Sequence, residues 1–154
     1  MISIVIPTFN ESKNIEAMLR RTAEVLREAG EKYELIVVDD NSPDGTADLA
    51  EALKDSCSVR VVRRPGRLGL ATAVLDGWAA AKGDLLGVID ADLQHPPEVL
   101  VALARALRNS NAQVAVASRK VPGGGMKEWS RVRQFISWGS TRLAYVLLGE
   151  ALWG

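Results

Sequence analysis

Short apolar runs alternate with amphipathic segments along the first 120 residues. The apolar runs predict five strands, over Ile2–Ile6, Glu34–Val38, Val59–Val62, Leu85–Ile89 and Gln113–Ala117. Most of them are continuously apolar, which is typical of parallel strands buried on both faces. The segments between them carry apolar residues at helical spacing, and they predict helices from Ile15 to near Gly30 and over Asp44–Leu53, Leu70–Ala81 and Pro97–Leu107.

This alternation of strand and helix with short connections predicts βαβ units with right-handed crossovers. The expected fold class is therefore α/β, a doubly wound, mostly parallel, Rossmann-like sheet. Ligands of such sheets bind beyond the carboxyl ends of the strands. Polar and charged residues gather directly after nearly every predicted strand, so we expect the binding site at that edge of the sheet.

The composition is that of a soluble globular domain. The 154 residues are 47% apolar and 25% charged, and this length favours one domain. The 19 basic residues balance the 19 acidic ones, so there is no basic field to attract nucleic acid. Cys57 is the only cysteine, which excludes an internal disulfide. Without a signal-like start or an apolar run near the roughly 18 residues that span a bilayer, we expect a protein that is cytoplasmic and soluble or held at a membrane surface.

The character of the chain changes after Arg119. Gly123-Gly124-Gly125 forms a break, and a second amphipathic pattern then runs from Trp129 to Leu148. We therefore expect a core over residues 1–120, followed over 121–154 by a glycine-rich loop and an amphipathic helix. The last residues are apolar and the fold has no obvious end, which favours self-association through this helix.

Two carboxylates separated by one residue, Asp90 and Asp92, follow the fourth predicted strand. Mg²⁺ or Mn²⁺ prefers oxygen ligands and completes its shell with water and substrate phosphate. The alternative is a solvated turn at the strand end. Gln94 offers a third oxygen and Pro96-Pro97 fixes the backbone after the acids, so the sequence favours a metal site.

Asp39-Asp40-Asn41-Ser42 ends the second predicted strand. Ser42 or Asp44 can cap the following helix, but capping does not require two further acids at the strand exit. A carboxylate there is well placed to bind a nucleoside base or a ribose hydroxyl.

Several basic residues lie near the predicted site. The group Arg63, Arg64 and Arg67 could neutralise phosphates, although three exposed arginines usually form only a solvated loop. His95, the only histidine, is given no role, because a lone histidine before prolines is more often structural. Arg119 follows the fifth predicted strand, where an arginine pairs well with phosphate.

Arg133 and Ser137 are four residues apart in the C-terminal amphipathic pattern. This spacing puts them on one face of a helix. They could bind a ligand together, and a structural pairing explains the spacing equally well.

Three segments together resemble the family 2 glycosyltransferases of GT-A fold, and within them the dolichyl-phosphate (polyprenyl-phosphate) mannosyltransferases. Each motif alone is widespread, but the three in this order and spacing are specific, and the resemblance covers essentially the whole chain. The segments are Ile6-Pro7-Thr8-Phe9-Asn10-Glu11, Val37-Val38-Asp39-Asp40-Asn41-Ser42-Pro43-Asp44-Gly45-Thr46 and Asp90-Ala91-Asp92-Leu93-Gln94-His95-Pro96-Pro97-Glu98.

The resemblance implies roles for individual residues. Contacts to a nucleotide-sugar donor would come from Pro7, Phe9, Glu11, Val38, Asp40, Asp90, Ala91 and Asp92. The metal ligands would be Asp90 and Asp92, helped by Gln94. The acceptor phosphate would be bound by Arg119, Arg133 and Ser137, and the catalytic roles would fall to Asp92, Arg119 and Arg133.

The implied reaction transfers a sugar to polyprenyl or dolichyl phosphate with inversion, most specifically mannose from GDP-mannose, with Mg²⁺ or Mn²⁺ as cofactor. The helix carrying Arg133 resembles the family's interface helix, and its basic residues and Trp138 suit a membrane surface. We therefore expect a peripheral protein on the cytoplasmic face of the membrane.

In the family, the catalytic domain continues beyond this helix with a Ser-Gly-Phe motif and further basic residues, whereas this sequence ends first. Two alternatives remain open. One is a related transferase that uses UDP-glucose or another sugar nucleotide, because no motif in the sequence distinguishes guanine from uracil. The other is a non-catalytic fragment that binds only nucleotide and membrane. A nucleotidyltransferase fits less well, because a glycine- and lysine-rich loop would be expected where Pro7-Thr8-Phe9-Asn10-Glu11 stands.

Overall fold

Four parallel strands form the sheet of the computed structural model, which describes residues 1–118. The strands are β1 (Ile2–Thr8), β2 (Tyr33–Asp39), β3 (Val59–Arg63) and β4 (Leu85–Val88). Their order across the sheet is β3-β2-β1-β4, and each neighbouring pair is parallel. Four of the five predicted strands are thereby confirmed.

Five helices connect or follow these strands. They are α1 (Ile15–Glu28), α2 (Thr46–Glu51), α3 (Lys54–Cys57), α4 (Leu70–Ala80) and α5 (Glu98–Arg108). The predicted helix over Asp44–Leu53 is shorter than expected, because Asp44 and Gly45 form the turn before it and Gly45 has a φ of 85° that suits glycine.

The helices cover both faces of the sheet, which confirms the doubly wound α/β class. The larger apolar core joins one face of β1 and β2 to α1, α2, α3 and α5, and Cys57 is buried in it with a free thiol. The smaller core joins Val5, Ile36 and Val38 on the opposite face to Ala73 of α4. Both faces of β1 and β2 are therefore buried, as the continuous apolar runs predict.

The ladder between β1 and β4 stops before β1 does. It pairs Ile2 to Val5 with Leu85 to Val88, and its last bond runs from the Ile89 N–H to the Val5 carbonyl. The next residue of β1 that faces β4 is Pro7, which has no N–H to donate. The chain after Ile89 is therefore released from the sheet.

The fifth predicted strand, over Gln113–Ala117, is wrong. Within the described residues this segment is irregular, and the side chains of Val114 and Val116 are 73% and 78% exposed. Alternating valines favour a strand only if a neighbour supplies hydrogen bonds and a covered face, and β4 remains the sheet edge here. The predicted helix between Trp129 and Leu148 lies outside the described residues. None of the helices within residues 1–118 is long and apolar enough to cross a membrane.

Helix α4 approaches the sheet closely at Gly77. A Cβ atom at this position would lie 2.5 Å from Cγ1 of Val5 and 3.1 Å from Cγ2 of Val38. Both valines are fully buried, so neither can move aside without disturbing the core.

We expect Gly77→Ala to lower the free energy of unfolding by up to roughly 2 kcal/mol, because overpacking costs about 1–3 kcal/mol and helix propensity returns about 1 kcal/mol. Urea unfolding followed by circular dichroism measures the change. The control is Ala79→Gly at an exposed position of α4, which should lose about 1 kcal/mol through propensity alone. A more stable Gly77→Ala protein would contradict the close packing.

Candidate functional site

Polar loops meet at the carboxyl edge of the sheet, as the sequence predicts. The register pairs Thr8 of β1 with Asp39 of β2, and Asp39 with Arg63 of β3. These three strands therefore end side by side. The loops that follow them span residues 9–14, 40–45 and 64–69, and the segment after β4 carries Asp90 and Asp92.

The first of the two neighbouring acids, Asp39, holds strand ends together. Its carboxylate is buried and accepts hydrogen bonds from the Thr8 hydroxyl at 3.0 Å and the Ser42 hydroxyl at 2.6 Å. Its other oxygen accepts from the Ser42 N–H at 2.8 Å. These bonds close a turn in which Asn41 has a φ of 59°, a conformation that asparagine tolerates. Asp39 is thus a structural residue of the turn.

Asp40 is buried among donors of the protein itself. Its Oδ1 lies 2.5 Å from Nη1 of Arg64, and its Oδ2 accepts from the N–H groups of Leu68 and Gly69 at 3.1 and 2.9 Å. The expectation of three exposed arginines is therefore wrong for Arg64, which is buried. Arg63 is exposed and pairs with Asp48 of α2.

Pro7, Val38 and Ala91 belong to the framework of the site. Pro7 is half-buried and stands opposite Val38 in the register of β1 and β2. The side chains of Val38 and Ala91 are buried. Val38 and Ala91 are 0% and 3% exposed with their backbone included, so they support the site, and their predicted contacts to a ligand stay predictions.

Phe9 and Glu11 lie in the loop after β1, which side chains of the loop after β2 hold in place. Asn10 has a φ of 61°, and its N–H donates to the Ser42 hydroxyl at 3.0 Å. The Glu11 N–H donates to the Thr46 hydroxyl at 2.9 Å. The two loops behave as one unit, which presents the half-buried Phe9 ring and the Glu11 carboxylate.

The guanidinium of Arg67 lies over the Phe9 ring, 4.4 Å from its centroid. This distance is that of a cation–π contact. It joins the loop after β1 to the loop after β3, and it puts a positive charge beside an aromatic surface. That combination suits a planar base attached to phosphates.

Asp44, which unlike Asp39 and Asp40 is exposed, connects the loop after β1 to the start of α2. One carboxylate oxygen accepts from the Thr46 N–H at 3.1 Å and the Thr46 hydroxyl at 2.6 Å, and the other accepts from the Ser12 N–H at 3.0 Å. Partial desolvation alone would raise the pKa of Asp44, but the hydrogen bonds from Thr46 and Ser12 outweigh it and hold this pKa well below its ordinary value of 3.8. Asp44 therefore supports the start of α2 although Gly45 occupies the N-cap position.

Asp90 and Asp92 both lie on the exposed side of the segment after β4. Ile89 and Ala91 alternate with them and are buried, and the chain turns at Ala91 and Asp92. The side chain of Asp90 is 53% exposed. The Gln94 N–H donates to Oδ1 of Asp92 at 3.0 Å, so Gln94 contacts this acid through its backbone. Both predicted metal ligands are exposed beyond the end of β4, and their role in binding a metal stays a prediction.

The residues after Asp92 are held in an uncommon conformation. Leu93 has a φ of 59°, which is strained for a branched side chain that lacks local polar partners. His95, which the sequence analysis left without a role, has its Nδ1 3.8 Å from Oδ2 of Asp90. In the sequence His95 stands five residues after Asp90, and this spacing alone does not predict a contact between them.

No cluster of three or more acidic, histidine or cysteine side chains suited to a metal ion occurs within residues 1–118. A cation held there by Asp90 and Asp92 would take its remaining ligands from water and a phosphate, which is the usual arrangement for Mg²⁺. Arg119, Arg133 and Ser137 lie outside the described residues, so their predicted roles stay predictions.

The doubly wound sheet, with its exposed carboxylates beyond β4, defines an α/β protein of GT-A-like fold. The chain belongs to glycosyl transferase family 2, whose model matches residues 3–151. It is 42% identical over 147 residues to the dolichol-phosphate mannosyltransferase of Pyrococcus furiosus, covering 96% of this chain and 41% of that protein.

Two further relatives have related names. The chain is 39% identical over 149 residues to the undecaprenyl-phosphate mannosyltransferase of Micrococcus luteus, covering 94% of this chain and 59% of that protein. It is 39% identical over 138 residues to the dolichol-phosphate mannosyltransferase of Saccharomyces cerevisiae, with 88% and 51% covered. The chain thus spans about half the length of the curated relatives it matches.

Solved structures of similar fold include a mannosyltransferase from Pyrobaculum calidifontis in complex with GDP-Man and Mn²⁺. The TM-score is 0.59 at 26% identity, covering 69% of this chain and 32% of that one. The glucosyl-3-phosphoglycerate synthase of M. tuberculosis gives a TM-score of 0.56 at 32% identity, with 70% and 40% covered.

We expect Asp44→Asn to lower the free energy of unfolding at neutral pH by about 1 kcal/mol, the usual worth of a lost hydrogen bond. Because the pKa of Asp44 is lower in the folded protein than its ordinary 3.8, its contribution is complete above that value and is lost as the pH falls towards the folded-state pKa.

The difference in unfolding free energy between wild type and Asp44→Asn should therefore narrow below pH 3.8. Urea unfolding from neutral pH down to about 3 measures this. Glu51→Gln, at an exposed carboxylate of α2, is the matched control and should change little across the range. A difference that widens on acidification would contradict the assigned hydrogen bonds.

Proposed function

We propose that this chain carries the donor-binding part of a glycosyltransferase that transfers a sugar to a polyprenyl phosphate with inversion. The sugar would be mannose and its donor GDP-mannose. The similarity that carries the proposal is the 42% identity to the Pyrococcus furiosus dolichol-phosphate mannosyltransferase over 96% of this chain. The proposal extends to an organisation in which residues 1–120 bind the nucleotide sugar and residues 121–154 meet the membrane.

The donor would bind over the carboxyl edge of the sheet. Phe9 offers an aromatic surface beside the Arg67 charge, and Glu11 and Asp40 offer oxygens to the base or ribose. Pro7, Val38 and Ala91 would form the floor of the site, with Pro7 half-buried and the other two buried.

Asp90 and Asp92 would hold Mg²⁺ or Mn²⁺, with Gln94 as a helper. Two exposed carboxylates on one side of a fixed segment suit a hard cation that also binds diphosphate oxygens. Such a cation supplies Lewis-acid stabilisation of the departing diphosphate, worth several kcal/mol. The Mn²⁺ in the related Pyrobaculum calidifontis complex supports this choice of metal.

The acceptor would be oriented by Arg119, Arg133 and Ser137. An oxygen of the lipid phosphate attacks the anomeric carbon from the side opposite the nucleotide. A new carbon–oxygen bond forms as the bond to the diphosphate breaks, and the electron pair leaves with the nucleotide. The lipid phosphate is already ionised at neutral pH, so the step has little need of a general base. Arginines that bind this phosphate position it for the attack.

The amphipathic pattern between Trp129 and Leu148 would lie on the cytoplasmic face of the membrane, where the acceptor lipid is anchored. Its basic residues suit anionic headgroups and Trp138 suits the interface. Its apolar stripe would also serve self-association. We propose this location from the sequence pattern and the names of the relatives.

Calorimetric titration of GDP-mannose into the purified chain, with and without Mn²⁺, tests the donor site. We expect metal-dependent binding that Asp92→Asn weakens by roughly 10- to 100-fold, the usual cost of disturbing a metal site. Asp55→Asn, at an exposed carboxylate of α3, is the matched control and should bind as wild type does.

A folded chain that binds neither GDP-mannose nor a UDP-sugar would contradict the proposal and favour a non-catalytic role. Binding of a UDP-sugar alone would correct the donor. If GDP-mannose binds, transfer of labelled mannose to polyprenyl phosphate tests the acceptor, and Arg119→Ala should reduce that transfer while donor affinity stays the same.

A further inference from the structure

Arg64 is buried at the candidate donor site, and nothing in the proposed reaction requires it to touch a ligand. Among residues 1–118 it is the one arginine or lysine that is buried. Its side chain is 3% exposed, and that of its partner Asp40 is 7% exposed. A charge this deeply buried is costly unless it is paired and hydrogen-bonded, so its contacts must account for it.

The contacts of Arg64 reach three parts of the fold. Nη1 donates to Oδ1 of Asp40 at 2.5 Å and to the Gly69 carbonyl at 3.1 Å. Nη2 donates to the Thr72 hydroxyl of α4 at 2.6 Å. Nε lies 3.0 Å from Oδ2 of Asp76, an ion-pair contact without hydrogen-bond geometry. The guanidinium thereby joins the end of β2, the loop after β3 and the first turns of α4.

Asp40 completes this arrangement from the other side. Its second oxygen accepts from the N–H groups of Leu68 and Gly69, the last residues before α4. Gly69 has a φ of 97°, which suits glycine. The end of this loop, Leu68 and Gly69, is therefore held by the Asp40 carboxylate, the Arg64 guanidinium and the Thr72 hydroxyl. Arg67, whose guanidinium covers Phe9, comes directly before these two residues.

The pairing leaves Asp40 with unused capacity. Its carboxylate accepts three hydrogen bonds from protein donors, whereas an ionised carboxylate can accept about four. The contact with Nη1 of Arg64 holds the Oδ1 side of this carboxylate in place. A lysine would keep the charge but would lose the planar fork that engages several acceptors at once.

We propose that Arg64 is a positioning residue of the donor site, which fixes Asp40 and the Arg67 loop in the geometry that receives the nucleotide. This inference rests on the proposed function, which supplies the nucleotide-sugar ligand. Arg64 affects the binding of that ligand through Asp40.

The test measures GDP-mannose affinity in the presence of Mn²⁺ for wild type, Arg64→Lys, Asp40→Asn and the double variant, at a temperature where each is folded. Arg64→Lys should bind roughly tenfold more weakly, a factor that equals about 1.4 kcal/mol. Since Arg64 acts through Asp40, the double variant should bind no more weakly than Asp40→Asn alone. Arg63→Lys, at the exposed neighbour that pairs with Asp48, is the matched control and should bind as wild type does.

Hydrogen exchange of the Leu68 and Gly69 amides gives a second measurement that needs no nucleotide. Their exchange should quicken in Arg64→Lys and stay unchanged in Arg63→Lys. If Arg64→Lys does not fold, Asp76→Asn removes the ion-pair partner of Nε at an exposed position, and it should quicken the same two amides and weaken binding by about threefold.

The inference is overturned if Arg64→Lys binds GDP-mannose as tightly as the wild type and its Leu68 and Gly69 amides exchange at the wild-type rate. It is also overturned if the losses of affinity in Arg64→Lys and Asp40→Asn add in the double variant. Failure of the wild type to bind any sugar nucleotide is a different result. It would overturn the proposed function, while the exchange rates would still decide whether Arg64 holds the loop.

Discussion

The hydrogen-bonding needs of β1 determine where the site opens. This strand is buried on both faces, so each of its backbone groups must be paired within the protein. β2 pairs with it along its whole length, whereas β4 pairs only up to Val5. Pro7 has no N–H for the next bond on that side. The segment after Ile89 can therefore leave the sheet and expose Asp90 and Asp92 beside loops that β2 and β3 hold in register.

The loops of this edge are connected mainly by side chains that bind the backbone of a neighbouring loop. The hydroxyls of Ser42 and Thr46 accept hydrogen bonds from the loop after β1. The Asp44 carboxylate accepts from Ser12 in that loop and from Thr46 at the start of α2. Each such bond satisfies a backbone N–H that no strand or helix can pair. Residues far apart in the sequence therefore set the shape of this polar surface, and they hold in place the loop that carries Phe9 and Glu11.

Much of the fold could be predicted from the sequence, because continuous apolar runs and helical spacing depend on local burial. Four strands and the helices α1, α2, α4 and α5 follow from that pattern, whereas the four-residue helix α3 was not predicted. The segment 113–117 failed because its alternating valines indicate strand propensity without specifying a neighbour. Burial of Arg64 was equally invisible, since three arginines in one loop have the same local pattern whether exposed or paired. The exposure of Asp90 and Asp92 could be predicted, because charged residues that follow a buried strand lie at the open end of the sheet.

Leu93 stands between Asp92 and Gln94 with a left-handed backbone, a conformation that costs a residue of its type on the order of 1 kcal/mol. Leu93 itself is exposed, whereas Ile89 and Ala91 before it and helix α5 after it are packed in the larger apolar core and hold its backbone from both sides. A laboratory selection for heat resistance alone would therefore enrich glycine or asparagine at this position, since both adopt that backbone more readily. The selected variants would be more stable, but their backbone at this position would hold Asp90 and Asp92 less firmly. A screen of this kind therefore also has to select for metal affinity.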